Sequence, residues 1–130
     1  HHLVPEKLRS GTFLFSEYSP EAFPDITFSD TMELHFNGEL IRLVFIGGSH
    51  DDNEIMVRFT DSKVVHLSSL VNGFNFPSID SDGSALAFPR IVARALEMLP
   101  EDVQIVSGHN RVGSMGDLRD WGEPFIAIRG

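Results

Sequence analysis

No cysteine occurs among the 130 residues. That excludes a disulfide framework, a thiolate metal site and a thiol nucleophile, and it leaves the redox compartment open. Positive charge is scarce: 10 Lys and Arg stand against 19 Asp and Glu, giving a net charge of −9 and a pI near 4.9. An acidic surface repels polyphosphate at long range, so neither nucleic acid nor an anionic membrane is expected as a partner. A small-molecule substrate or a protein partner fits this charge. No apolar run approaches the roughly 18 residues needed to span a bilayer, and no signal-peptide pattern is visible. A soluble protein is expected, in the cytoplasm or periplasm. What the chain has in quantity is phenylalanine, 11 residues of it, within a 42% hydrophobic composition. That is enough for one core, so residues 1–130 read as a single domain.

The first residue is His1, not methionine, and Glu6 to Gly11 reads as a short helix ended by a glycine, as in a natural sequence entered midway. Two prolines within five residues, Pro20 and Pro24, make a loop. A β region follows. Thr31 to Phe36 alternates polar and apolar, Asn37-Gly38 signals a two-residue hairpin, and Leu40 to Ile46 returns as a more buried strand. Further strands are expected at Glu54–Thr60 and Val64–Leu67, joined around Asp61-Ser62-Lys63, with a short one at Val103–Val106. Ser84 is placed to cap a helix running to Leu99, with Leu86, Ile91, Val92, Ala95, Leu96 and Leu99 near one stripe; Pro89 argues for a start nearer Phe88. Gly113 to Trp121 reads as a short second helix. The order implies a mixed α/β (α+β) layer, a mostly antiparallel sheet with helices over one face.

Two histidines follow expected strand ends: His50 in Gly47-Gly48-Ser49-His50-Asp51-Asp52, and His109 in Val106-Ser107-Gly108-His109-Asn110. Side chains at neighbouring strand ends converge on one pocket, and imidazole there is a common ligand for zinc or iron. A histidine after a glycine-rich turn is also an ordinary loop residue or hydrogen-bonding cap. His66 lies in an apolar strand and reads as a core or face histidine. Asp51, Asp52 and Glu54 with Asp80 and Asp82 lack the ligand ladder of a calcium loop, so they read as solvated loop carboxylates. Ser68 and Ser69 have no Gly-x-Ser-x-Gly elbow around them, which argues against covalent catalysis. Phe74, Phe76 and Phe88 suggest core or interface packing, or the lining of a substrate pocket.

Several short motifs fall in register: Leu34-His35-Phe36-Asn37-Gly38, Ser49-His50-Asp51-Asp52-Asn53-Glu54, Val64-Val65-His66-Leu67-Ser68-Ser69, Asn72 to Asp80, and Ser107-Gly108-His109. In order and spacing they resemble the C-terminal half of the metallo-β-lactamase-fold metal-dependent hydrolases, from about Glu6 to Leu118. The resemblance implies half of a four-layer αββα sandwich. It also implies a metal centre, zinc above all, at the sheet edge, used to hydrolyse ester, amide, thioester or phosphodiester bonds. By position His50 corresponds to a ligand of the first metal and His109 to a ligand of the second.

Three departures bear on that chemistry. The family's leading His-x-His-x-Asp-His motif has no counterpart here. Ser69 stands at the position of the aspartate that bridges the metals, and a neutral hydroxyl does not replace a carboxylate between two dications about 3.5–4 Å apart. Asn53 and Asn110 take the place of turn glycines. The expectation is therefore a hydrolase that is incomplete or weakly active as this chain, or alternatively a non-catalytic relative serving as an oligomerisation or binding module. Half a sandwich leaves an apolar sheet face, so either a homo-oligomer or the missing N-terminal half is expected to cover it.

Overall fold

The computed structural model describes residues 3–7, 13–17, 20–50, 53–79 and 83–128. Its centre is a six-stranded sheet of β3 (Thr31–Phe36), β4 (Glu39–Phe45), β5 (Ile55–Phe59), β6 (Val64–His66), β7 (Gln104–Val106) and β8 (Val112–Ser114), in that spatial order. Every pairing is antiparallel except β6 with β7. The parallel step needs a crossover, and helix α1 (Phe88–Met98) supplies it. A second helix, α2 (Met115–Ile128), closes the chain. A separate antiparallel pair, β1 (Leu3–Lys7) and β2 (Phe13–Glu17), precedes the sheet.

Local chemistry explains most of these boundaries. Asn37 and Gly38 both take positive φ, 51° and 79°, the geometry of the tight turn that matches strand twist. The pairing of Phe36 with Glu39 follows from it. Ser84 does act as a cap, but of a preliminary turn: its hydroxyl accepts the Ala87 amide at 3.2 Å, and the helix proper begins at Phe88, where Pro89 needs no donor. Leu86 sits in that turn and is 93% exposed, so it does not share the buried stripe of Phe88, Ile91, Val92 and Ala95.

Other expectations are corrected. Glu6 and Lys7 are not helical but belong to β1, paired with Leu14 and Phe13; the rest of the expected N-terminal helix lies outside the described residues. The second helix does not start at Gly113, which pairs with Ile105 in β8, and it runs beyond Trp121 to Ile128. A serine-based cap explains the start: Ser114 and Asp117 exchange hydrogen bonds, the Asp117 amide to the Ser114 hydroxyl at 3.1 Å and the Ser114 amide to the Asp117 carboxylate at 2.8 Å.

The two faces of the sheet differ. On one, Val44, Met56, Val65 and Ile105 are buried with Ile91, Val92, Ala95, Met115 and Leu118 of the helices. Phe88, Trp121 and Phe125 stack edge to face beside them, with centroids 5.3–5.7 Å apart. On the other, cross-strand register aligns Met32, Leu43, Val57, His66, Val106 and Val112 in one row and Leu34, Ile41, Phe59 and Val64 in the next. None of these residues is buried. Among the described residues this apolar face is left half-buried to exposed.

Candidate functional site

β4, β6 and β7 run in the same direction, because β5 is antiparallel to both β4 and β6 while β7 is parallel to β6. Their C-terminal ends therefore share one edge of the sheet. The loops leaving that edge carry His50 after β4, Ser69 after β6 and His109 after β7. At about 4.8 Å per strand, the roots of the His50 and His109 loops are about 14 Å apart, with Ser69 rooted between them.

The His50 loop is held from three sides. Glu54, 1% exposed, places one carboxylate oxygen, Oε2, against the Ser49 hydroxyl at 2.5 Å, the Ser49 amide at 3.2 Å and the His50 amide at 3.0 Å. The Ser84 amide donates to the Ser49 carbonyl at 2.8 Å. At Gly83 a Cβ would fall 2.3 Å from the carbonyl oxygens of both Ser49 and His50, so only glycine permits that approach. The third side is the ring itself: His50 Nδ1 lies 2.6 Å from the Ser78 carbonyl oxygen. A carbonyl only accepts, so Nδ1 is the protonated, donating nitrogen of this contact.

Ser107 ties the other two loops together. Its buried hydroxyl accepts the Gly73 amide at 2.6 Å and the His109 amide at 3.1 Å, and its one proton serves the carbonyl of Val71 or of His109. The Gly108 amide donates to the Ser68 carbonyl at 2.7 Å, and a Cβ on Gly108 would meet that oxygen at 2.4 Å. Asn110 takes the left-handed conformation, φ 65°, which the turn demands and asparagine tolerates better than most residues. His109 and Asn110 are exposed, and Ser69 is half-buried. His66 Nδ1 accepts the Ser68 amide at 3.2 Å, a half-buried face histidine as expected. Of the acidic group, Glu54 proves to be a buried acceptor, not a solvated loop carboxylate; Asp51, Asp52, Asp80 and Asp82 lie outside the described residues. Phe88 is core, while Phe76 is 84% exposed.

The donor set falls short of a metal centre. Zinc in proteins takes at least three protein ligands, whereas the described residues of this edge offer two imidazoles and the neutral hydroxyl of Ser69. Among the described residues no three His, Asp or Glu side chains gather where they could hold an ion. His50 has a setting typical of a ligating histidine, its Nδ1 donating to a backbone carbonyl. The described residues do not by themselves fit a complete site.

No protein-family model matches the sequence. A search of curated proteins likewise returns no relative. Solved structures do match. A metallo-β-lactamase from Pontibacter korlensis superposes with a TM-score of 0.66 at 20% identity, over 78% of this chain and 48% of its own. DIM-1 metallo-β-lactamase gives 0.63 at 19%, over 77% and 47%. TMB-1 gives 0.63 at 16%, over 80% and 48%. The chain therefore has the fold of the C-terminal half of a metallo-β-lactamase-type sandwich, and it spans about half the length of the structures it resembles.

Proposed function

We propose that this chain forms the C-terminal half of a metal-dependent hydrolase centre, bringing His50 and His109 to an edge that a second sheet completes. The observation that carries the reading is the orientation of His50, with Nδ1–H on the Ser78 carbonyl, at the strand edge that also holds His109. The likeness to metallo-β-lactamases supports it. The apolar sheet face supports the second sheet. The metal, zinc by analogy with the fold, takes its remaining ligands from that sheet, since no three metal-ligating side chains gather among the described residues. The half left out of the match, about half the length of the solved structures, is the natural occupant; without it, a second copy takes its place on the face.

A non-catalytic binding or assembly module is the second reading, favoured by Ser69 at the bridging position. Hydrolysis of chromogenic lactams, esters and thioesters in added zinc separates the two, using the protein with whatever partner copurifies. The hydrolase reading expects zinc-dependent turnover that disappears in a His50→Ala, His109→Ala double variant. Turnover unchanged in that variant, or none with zinc and partner both present, supports the module.

A further inference from the structure

On the helix side of the sheet, a cross-strand row runs Glu33, Arg42, Arg58, Val65 over β3, β4, β5 and β6. At one end Val65 is fully buried under the helices; two strands away the row becomes charged. Arg42 and Arg58 are direct cross-strand partners. Like charges in that relation repel, and a chain with so few cations has placed two together. Arg42 is met by Glu33, Nε to Oε1 at 2.9 Å, in a half-exposed pair. Arg58 feels the Asp102 carboxylate only at a distance, and its Nε is buried with no hydrogen-bond partner among the described residues. The nearby Asp102 is committed elsewhere, to Lys63 Nζ at 2.5 Å. A buried guanidinium donor left unmatched is costly unless an acceptor arrives.

Space for an acceptor exists. A cavity of about 320 Å³ opens at the pair, lined by Glu33, Arg42, Val44, Met56, Arg58 and Met98, the last residue of α1. Its size is at the lower end of small-molecule pockets. Its lining combines the guanidinium groups of Arg42 and Arg58, the Glu33 carboxylate already paired with Arg42, and the apolar Val44, Met56 and Met98. Arg42 lies three residues, about 10 Å, back along β4 from Phe45 and the edge that bears the histidines.

We propose that this cavity is an anion site, taking an oxyanion, a carboxylate or phosphate group on a small apolar body, between Arg42 and Arg58. The planar guanidinium fork matches such groups with paired N–H donors, and the ligand supplies the acceptor that Arg58 Nε lacks while offsetting the Arg–Arg repulsion. The apolar body lies against the two methionines.

Nuclear magnetic resonance of the full chain tests this, following the Arg58 Nε–H and the methyls of Met56 and Met98 at constant ionic strength. Butyrate and inorganic phosphate serve as probes, with chloride as control. The expected result is a saturable shift of all three signals with butyrate or phosphate and none with chloride. Tighter binding of butyrate identifies the ligand as an apolar carboxylate; tighter binding of phosphate identifies a phosphate group. Arg58→Lys keeps the charge but loses the fork, and should weaken the methyl response at least tenfold. Arg42→Met, at a half-exposed position that does not endanger folding, should do the same. Shifts that grow linearly without saturating, that chloride reproduces, or that survive Arg42→Met would overturn the site.

Discussion

At the scale of single residues, the side chain that organises the candidate site is an acid. Glu54 Oε2 gathers three donors from Ser49 and His50 within a buried turn. Truncation to alanine leaves two amides and a hydroxyl without an acceptor, so Glu54→Ala should cost about 2–3 kcal/mol in urea unfolding. A loss below about 0.5 kcal/mol would show that the loop does not depend on it. His50 and His109 were legible as candidates because each follows an apolar strand and a glycine-containing turn. Glu54 was not, because nothing in Asp51-Asp52-Asn53-Glu54 marks it as a buried acceptor; it is the one directly ahead of the apolar strand Ile55–Phe59. Ser107 was equally silent, since its role is to bridge two loops 34 residues apart in sequence. Asn110 was legible in the opposite sense: a residue read as a poor replacement for glycine holds the positive φ the turn needs.

At the scale of elements, the edge exists because β4, β6 and β7 point the same way, and the single parallel step that arranges this depends on α1. The hairpin of β3 and β4 was readable from Asn37-Gly38 alone. β8 was not, because a three-residue strand of Val112, Gly113 and Ser114 has no periodicity and owes its existence to pairing with β7. Missing it moved the start of α2. The Ser114 and Asp117 cap makes a direct prediction: Ser114→Ala should lower stability by about 1 kcal/mol, read from the shift in thermal midpoint. An unchanged midpoint would mean that packing alone starts the helix. Hydrogen bonds from the Ser114 amide and hydroxyl, with the Arg111 charge adding to them, hold the Asp117 carboxyl below the usual carboxylate range. A lowered value means that the cap contributes in full above the ordinary carboxylate pKa and is lost as pH falls through the folded-state value. Acid titration of the Asp117→Asn variant should lack that part of the wild-type loss.

At the scale of the whole molecule, two layers out of four are present. The helix-covered layer was legible from the stripe on α1 and the apolar strands. The open face was expected from the resemblance, and the register now assigns it to Met32, Leu34, Ile41, Leu43, Val57, Phe59 and Val64. A face of this kind seldom stays in water. Sedimentation should find the chain self-associated or bound to a second sheet, and Leu43→Lys, which sets a charge on the face without entering the core, should release monomers; a monomeric wild type would contradict this. Whether the strand edge bearing His50 and His109 is half of a metal centre is decided most directly by a zinc titration of the protein with whatever partner copurifies, watched through the ¹⁵N resonances of the imidazoles. If His50 and His109 belong to one centre, both Nε2 signals shift in a single saturable step, while exposed His35 on β3 stays still. If the two respond separately, or neither responds, the loops share an edge of the sheet and nothing more.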